Sequence, residues 1–368
     1  MAEPTPTKMR VGVLFGGRSS EHAISLRSAA SVVRAMDPDR YDVELLAIDE
    51  EGRWWHAGDG ARIRGGEDLE ATGTPIAFLC DPSRAGWVRL DGAPLENVVG
   101  VDVVFPVLHG PYGEDGTVQG LLELAGVPYV GSGVVASAVG MDKALARAVF
   151  RDAGLPLTRD AVVPRATWEE DRDGVCAVVV ESLTFPLFVK PANLGSSVGI
   201  SRIASPEELG RAMDLAATFD RKIVVEEAVR NPREFEVAVL GNNEPEPSVV
   251  GEIRPSGEFY DYESKYHDDT SELLIPAPIP EKAADHMRRM AVEAFRRVDC
   301  AGLARVDFLA SDEEIYINEI NTMPGFTSIS MYPQLWEASG LGYGVLVDAL
   351  IAFGLERHED RKRNAIRP

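Results

Sequence analysis

Residues 9–49 constrain the fold more than any other stretch of the chain. MRVGVLF reads as a buried parallel strand that ends at Gly16 and Gly17. From Ser20 to Met36, the apolar residues Ile24, Ala29, Val32, Val33 and Met36 recur near helical spacing, and YDVELLAID follows as a second strand. A strand, a glycine turn, a helix and a strand in that order predict a doubly wound α/β unit. VDVVFPVLHG (101–110) is a further buried strand running into a glycine-bearing loop. TVQGLLELAG predicts a helix stopped by Gly126, and VPYVG a short strand. Residues 50–100, rich in Gly, Pro and charge, predict irregular hairpins.

The pattern changes near Met141. MDKALARAVFRDAG predicts an amphipathic helix with a glycine stop. Short strands follow (FPLFVKP, VGISRI, KIVVEEAV, EFEVAVLG and PSVVGEI), with one helix near Pro206–Ala217 among them. Mixed strands of this kind predict an α+β unit with antiparallel sheet. The last third holds a helix over Glu281–Val298, the strands GLARVDFLA and EEIYINEI, and a closing helix over Tyr343–Phe353. Residues 1–8 and the tail ERHEDRKRNAIRP are expected to be disordered.

The 368 residues suit two or three domains. The formal net charge of −22 disfavours nucleic acid and anionic membrane surfaces as partners. It leaves room for ATP, because local lysines can reverse the field inside a cleft. Cys80, Cys176 and Cys300 form no C-x-x-C spacing, so neither a disulfide framework nor a zinc site follows, and a reducing cytoplasm fits. The apolar run Val11 to Phe15 is too short for a signal peptide or a membrane span.

Six segments carry chemistry. In GLARVDFLA and INEINTMPGFT, Glu319 and Asn321 share a strand face, and a hairpin would bring Asp307 beside them. Two carboxylates and an amide oxygen suit magnesium held together with phosphate oxygens, and Arg305 shares the face of Asp307. A salt-bridged surface hairpin is the plainer alternative. In FPLFVKPANLGSSVGI, a strand delivers Lys190 to a loop with Gly195, Ser196, Ser197 and Gly199. That loop is either a phosphate-binding nest or an ordinary hairpin turn. Glu226 and Glu234 flank a loop whose edge backbone would suit adenine and ribose, although a solvated acidic linker is the better reading of these residues on their own. GEFYDYESKYHDDTSE, with three tyrosines and Lys265, reads as a long binding loop or lid. His109 sits at the carboxyl end of a buried strand, where open α/β sheets place ligands, although a lone histidine is more often structural. Glu21 opens the first helix, where a carboxylate is favourable in any case.

Taken together, GGRSSEHAISL, VFPVLHGPYGEDGTVQGLLELAGVPYVGSG, MDK, FPLFVKPANLGSSVGIS, FYDYESKYHDD, GLARVDFL and INEINTMPGFTSISMYP, in this order over residues 10–335, closely resemble the D-alanine–D-alanine ligases, a branch of the ATP-grasp superfamily. The resemblance implies a three-domain ATP-grasp architecture that combines α/β and α+β units. These are an amino-terminal doubly wound (pre-ATP-grasp) α/β domain at 1–131, a central small domain at 132–227, and a carboxyl-terminal domain at 228–368 with a lid loop at 255–272. It also implies D-alanine and ATP as substrates, two Mg2+ or Mn2+ ions, a cytoplasmic homodimer, and a role in peptidoglycan precursor synthesis.

Carried over residue by residue, the resemblance gives Lys143 and Lys190 to the ATP phosphates and Lys265 to the γ-phosphate. Glu226, Glu227 and Val229 would surround the adenine, and Glu234 the ribose. Asp307, Glu319 and Asn321 would bind the metals, and Arg305 with the Gly325 backbone would stabilise an oxyanion. Glu21 would hold the first D-alanine with His109 nearby, and Ser330 and Met331 would meet the second. Glu21, Ser196 and Tyr266 would latch the lid. Glu227 stands where many relatives carry lysine, which puts the local adenine contacts in question. A ligase adding D-lactate or D-serine is the nearest alternative. A regulatory ATP-binding protein without activity would have lost a metal ligand or Arg305, and all are present.

Overall fold

The computed structural model describes residues 8–92, 94, 98–254, 272–311 and 314–365. Among these residues the strands form three sheets. The first unit comprises β1 (Met9–Gly16), α1 (His22–Ala35), β2 (Tyr41–Ile48), β3 (Trp54–Asp59), α2 (Gly60–Arg64), β4 (Thr74–Leu79), β5 (Gly86–Arg89), β6 (Val103–Leu108) and α3 (Thr117–Ala125). Its strand order is β5-β4-β3-β2-β1-β6. β1 is parallel to both β2 and β6, as the doubly wound reading predicts. The hairpins expected between residues 50 and 100 are β3, β4 and β5, which extend the sheet antiparallel. The short strand expected at VPYVG is reduced to one parallel bridge between Val104 and Tyr129. Gly126 ends α3 in the left-handed region, at φ 66°, where a glycine carries no Cβ penalty.

α4 (Val134–Met141) and α5 (Lys143–Asp152) lead to the second unit. α5 starts at Lys143 because the Asp142 carboxylate accepts from Ala144 N and Leu145 N at 3.1 Å each. β7 (Asp160–Pro164), α6 (Arg165–Glu170), α7 (Arg172–Ser182), β8 (Leu187–Pro191), β9 (Ser201–Ile203), α8 (Pro206–Phe219) and β10 (Lys222–Glu227) then give an antiparallel sheet in the order β7-β10-β8-β9. Sequence reading had no element for residues 160–182, where short alternations of charge and apolar residues hide β7, α6 and α7. The third unit holds β11 (Arg233–Gly241), β12 (Glu246–Arg254), β13 (Glu272–Leu274), α9 (Glu281–Arg297), β14 (Gly302–Ala310), β15 (Ile315–Asn321), α10 (Met331–Ala338) and α11 (Tyr343–Lys362). Its sheet is antiparallel, ordered β13-β12-β11-β14-β15.

Two corrections concern the carboxyl end. α10 went unread. α11 runs nine residues past the expected end at Phe353, so most of the tail is helix rather than disorder. Partners across the molecule hold it there. Arg357 stacks on the Tyr129 ring at 4.1 Å and lies 3.5 Å from Glu123, which also pairs with Arg361.

The core explains why. β1, α1 and β6 bury Val11, Phe15, Val33 and Phe105 in the same cluster as Leu335, Leu346, Leu350 and Ile351 of α10 and α11. The first sheet is thus covered by the last helices. The second unit has its own core around Trp168, Leu187 and Val225.

Arg357→Ala should lower stability by about 1–2 kcal/mol, the worth of a desolvated cation–π contact with its hydrogen bonds. Urea unfolding checks this, and an unchanged midpoint would show that the Arg357 contacts contribute nothing to stability.

Candidate active site

The hairpin of β14 and β15 forms the floor. On β14, Val306 and Phe308 point into the core, so Arg305 and Asp307 lie on the opposite, cleft-facing side. Asp307 pairs across with Glu319, and Arg305 with Asn321. The register shifts by one residue between Asp307 and Phe308, where Asn318 is extra on β15. That bulge has a consequence. Ile317 and Ile320 are both buried in the core, which unbroken alternation forbids for residues three apart. The extra residue turns Glu319 and Asn321 to the cleft while keeping both isoleucines inside.

Arg305 is held on two sides. Its Nε and Nη2 each donate to Asp307 at 2.7 Å, and Nε lies 2.9 Å from Glu236 Oε2. Burial opposes its charge, but Asp307, Glu236 and Glu319 outweigh that and raise its pKa further. Glu236 comes from β11, directly opposite Asp307. It was not singled out from sequence, although a lone acid inside the apolar run of EFEVAVLG was a usable signal.

Lys143, at the start of α5, donates from Nζ to Leu194 O at 2.7 Å and lies 3.4 Å from Glu319 Oε2. It therefore links the 192–200 loop to the floor. In that loop Ser196 and Ser197 both adopt positive φ, 51° and 58°. Ser196 Oγ donates to Glu21 Oε1 at 2.6 Å. Glu21 is buried at the N-terminal end of α1, where the helix dipole favours a carboxylate.

His109 is buried behind Glu21. Its Nδ1 lies 3.1 Å from Met323 O and 3.8 Å from Glu114, and its Nε2 lies 3.3 Å from Ser28 Oγ. Burial opposes charge on the imidazole, yet Glu114 and Glu21 outweigh it and raise its pKa. Burial also raises the pKa of Glu114. The loop after β15 reaches the same place: Met323 N donates to Asn321 Oδ1 at 2.9 Å, and Ser330 Oγ accepts from Thr327 N at 3.0 Å.

Glu21, His109, Ser196, Arg305, Glu319 and Asn321 line one cavity of about 680 Å³, together with Gly325, Ser330 and Met331. Glu114 and Glu236 line it too. Beside it, Lys190 on β8 pairs with Glu226 on β10, whose other oxygen accepts from Arg147 at 3.0 Å. Glu227 turns away. It accepts from Thr184 N at 2.7 Å and lines a second cavity of about 510 Å³ with Val229. Glu234 is partly buried on β11, two residues before Glu236 on the same face. Lys265 and Tyr266 lie outside the described residues.

The hard oxygen donors of Asp307, Glu319 and Asn321 fit a divalent cation bound with phosphate. Their two charges are offset by Arg305 and Lys143 as the structure stands. Among the described residues no group of three or more His, Cys, Asp or Glu residues adds another candidate.

Two family models match the chain: the D-ala D-ala ligase N-terminus over residues 10–132 and the D-ala D-ala ligase C-terminus over residues 149–352. The D-alanine–D-alanine ligase of Heliobacterium modesticaldum is 50% identical, with 97% of this chain and 98% of that protein covered. That of Natranaerobius thermophilus is 47% identical at the same coverages. Among solved structures, the D-alanine–D-alanine ligase of Coxiella burnetii superposes with a TM-score of 0.85 at 35% identity, covering 97% of this chain and 96% of that one. The VanG D-Ala:D-Ser ligase of Enterococcus faecalis gives 0.83 at 35% identity, over 95% of this chain and 100% of that one. With two models spanning most of its length and relatives this similar end to end, the chain belongs to the D-alanine–D-alanine ligase family, and its fold is that of the ATP-grasp ligases.

Proposed function

We propose that the protein joins two D-alanine molecules into D-alanyl-D-alanine, using ATP and passing through an acyl phosphate, for peptidoglycan precursor synthesis. The family uses ATP and a divalent metal. The observation that carries the reading is a single cavity lined by a buried carboxylate, Glu21, and a largely buried guanidinium, Arg305, with Glu319 and Asn321. Glu21 suits the ammonium of the first D-alanine. That amino acid's carboxylate attacks the γ-phosphorus, and ADP leaves. The second D-alanine, as a free amine, then attacks the acyl carbon, and phosphate leaves. Arg305 and the Gly325 N–H receive the charge that develops on the carbonyl oxygen; one such donor typically contributes about 3–4 kcal/mol. Ser330 and Met331 meet the second carboxylate.

Lys143, Lys190 and Lys265 hold the phosphates; Glu226, Glu227, Val229 and Glu234 take the nucleoside. Asp307, Glu319 and Asn321 would hold two Mg2+ or Mn2+ ions, which when bound offset phosphate charge. Tyr266 joins Ser196 and Glu21 to fasten the 255–272 lid, which keeps water from the acyl phosphate. The same reading divides the chain at 131 and 227 and makes it a cytoplasmic homodimer. No single helix among the described residues is long and apolar enough to cross a membrane.

The curated relatives at 47–50% identity are named for D-alanine–D-alanine ligation, which favours D-alanine as second substrate. Mass spectrometry of products from ATP, magnesium and mixed D-alanine, D-lactate and D-serine should show D-alanyl-D-alanine as the main product. A mainly depsipeptide or D-alanyl-D-serine product would overturn this. Glu319→Gln removes one of the two carboxylate charges at the metal position. It should abolish ligation while circular dichroism stays unchanged, and near-normal turnover would remove Glu319 from the metal site. Ser196→Ala deletes the 2.6 Å hydrogen bond to Glu21. Bonds to charged groups contribute about 1.5–3 kcal/mol, so the KM for the first D-alanine should rise about tenfold or more. Steady-state kinetics with an unchanged KM would leave Ser196 without that role.

A further inference from the structure

Arg147 was not singled out from sequence, and the mechanism above does not use it. It is among the most buried charges in the molecule, its side chain 3% exposed. It sits four residues after Lys143, on the same side of α5. Its guanidinium spends its donors inside the second unit: Nη1 to Glu226 at 3.0 Å, Nε to Asp160 at 3.0 Å, and Nη2 to Thr158 O at 2.6 Å. Asp160 and Glu226 are cross-strand neighbours on β7 and β10. The charged groups facing Glu226 are therefore Lys190 from β8, Arg147 and, farther off, Lys143 from α5, with Asp160 beside it on β7. Asp160 has a second cation in Arg151, at 2.5 Å.

This arrangement solves a problem that nucleotide binding creates. Lys190 is paired with Glu226 in the structure. A phosphate oxygen that draws the ammonium away leaves Glu226 as a carboxylate 6% exposed, and an unpaired charge at that depth costs several kcal/mol. Burial by itself pushes the Glu226 pKa up, and Lys190 and Arg147 outweigh it.

We propose that Arg147 is a positioning residue that keeps Glu226 ionised, so that Lys190 is free to serve the nucleotide phosphates without leaving a buried carboxylate unpaired. This rests on the nucleotide reading of Lys190 given above. Without the guanidinium, Glu226 gains a proton as Lys190 turns to the phosphate. Binding then takes up a proton and weakens as pH rises.

Calorimetric titration of ADP with magnesium into the full chain, in buffers of different ionisation enthalpy from pH 6.5 to 8.5, counts that proton. Arg147→Met should take up as much as one proton more per ADP than the unmodified chain, and should lose up to about tenfold in affinity per pH unit. Arg147→Lys, which keeps the charge, should not. The double variant Glu226→Gln, Arg147→Met should return to the unmodified proton count. A purely structural role for Arg147 predicts weaker binding with no change in proton count, and that result would overturn the proposal. So would an extra proton that persists in the double variant. Arg147→Gln, which retains hydrogen-bonding capacity, carries the same test if Arg147→Met does not fold. Lys190→Met separates the two readings: unchanged ADP affinity there removes Lys190 from the phosphates, whatever Arg147 does.

Discussion

A strand that faces the core on one side and a polar cleft on the other must neutralise every charge it carries at once. β14 meets this condition with Arg305. Its guanidinium lies between Asp307, on its own strand, and Glu236, on the next, and all three are largely buried. Removing one partner from such a set leaves another charge uncompensated, at about 3–5 kcal/mol. The bulge at Asn318 serves the same condition from the other side of the hairpin. It lets β15 keep Ile317 and Ile320 in the core while sending Glu319 to Asp307 and Lys143. The cleft's floor is thus a charge lattice fixed by strand register. The loops from the first unit, at Glu21 and His109, are brought against it.

Much of this was legible because it follows from periodicity. Alternation in GLARVDFLA puts Arg305 and Asp307 on one face, and the hairpin between that strand and EEIYINEI puts Glu319 opposite Asp307. The glycine turn after β1 and the helix behind it likewise gave the parallel order of the first sheet. What escaped had other causes. β3 to β5 lie among Gly and Pro, and their pairing is set by neighbouring strands rather than by local pattern. α11 outruns its apolar stretch because Glu123 and Tyr129, more than two hundred residues away, receive Arg357. Arg147 and Glu236 escaped because a charge inside an apolar pattern looks like an exposed position until its partner is known. The roles of single residues at the site came from family resemblance rather than from pattern. Sequence alone left Glu21, His109 and the glycine loop each with an ordinary structural explanation.

Four cations in and beside the cleft are each set against a carboxylate. Lys143, Lys190, Arg147 and Arg305 are each paired with a buried or half-buried carboxylate, so the charge is close to balanced at each contact. On the proposed reading, a phosphate-rich ligand would exchange partners within these ion pairs and would not meet a bare positive field. Affinity in such a site depends on how readily the resident carboxylates accept a substitute, whether a metal ion or a second guanidinium.

The shared core of the first sheet and the last helices has a consequence for how the chain is made. Val11 and Phe15 emerge from the ribosome more than three hundred residues before Leu346, Leu350 and Ile351, which complete their packing. During synthesis the amino-terminal sheet stands with one face uncovered, a state prone to wrong partners. The second unit, with its separate core around Trp168, closes in the meantime. Order of synthesis and order of completion therefore differ: the first unit to leave the ribosome is among the last to be finished.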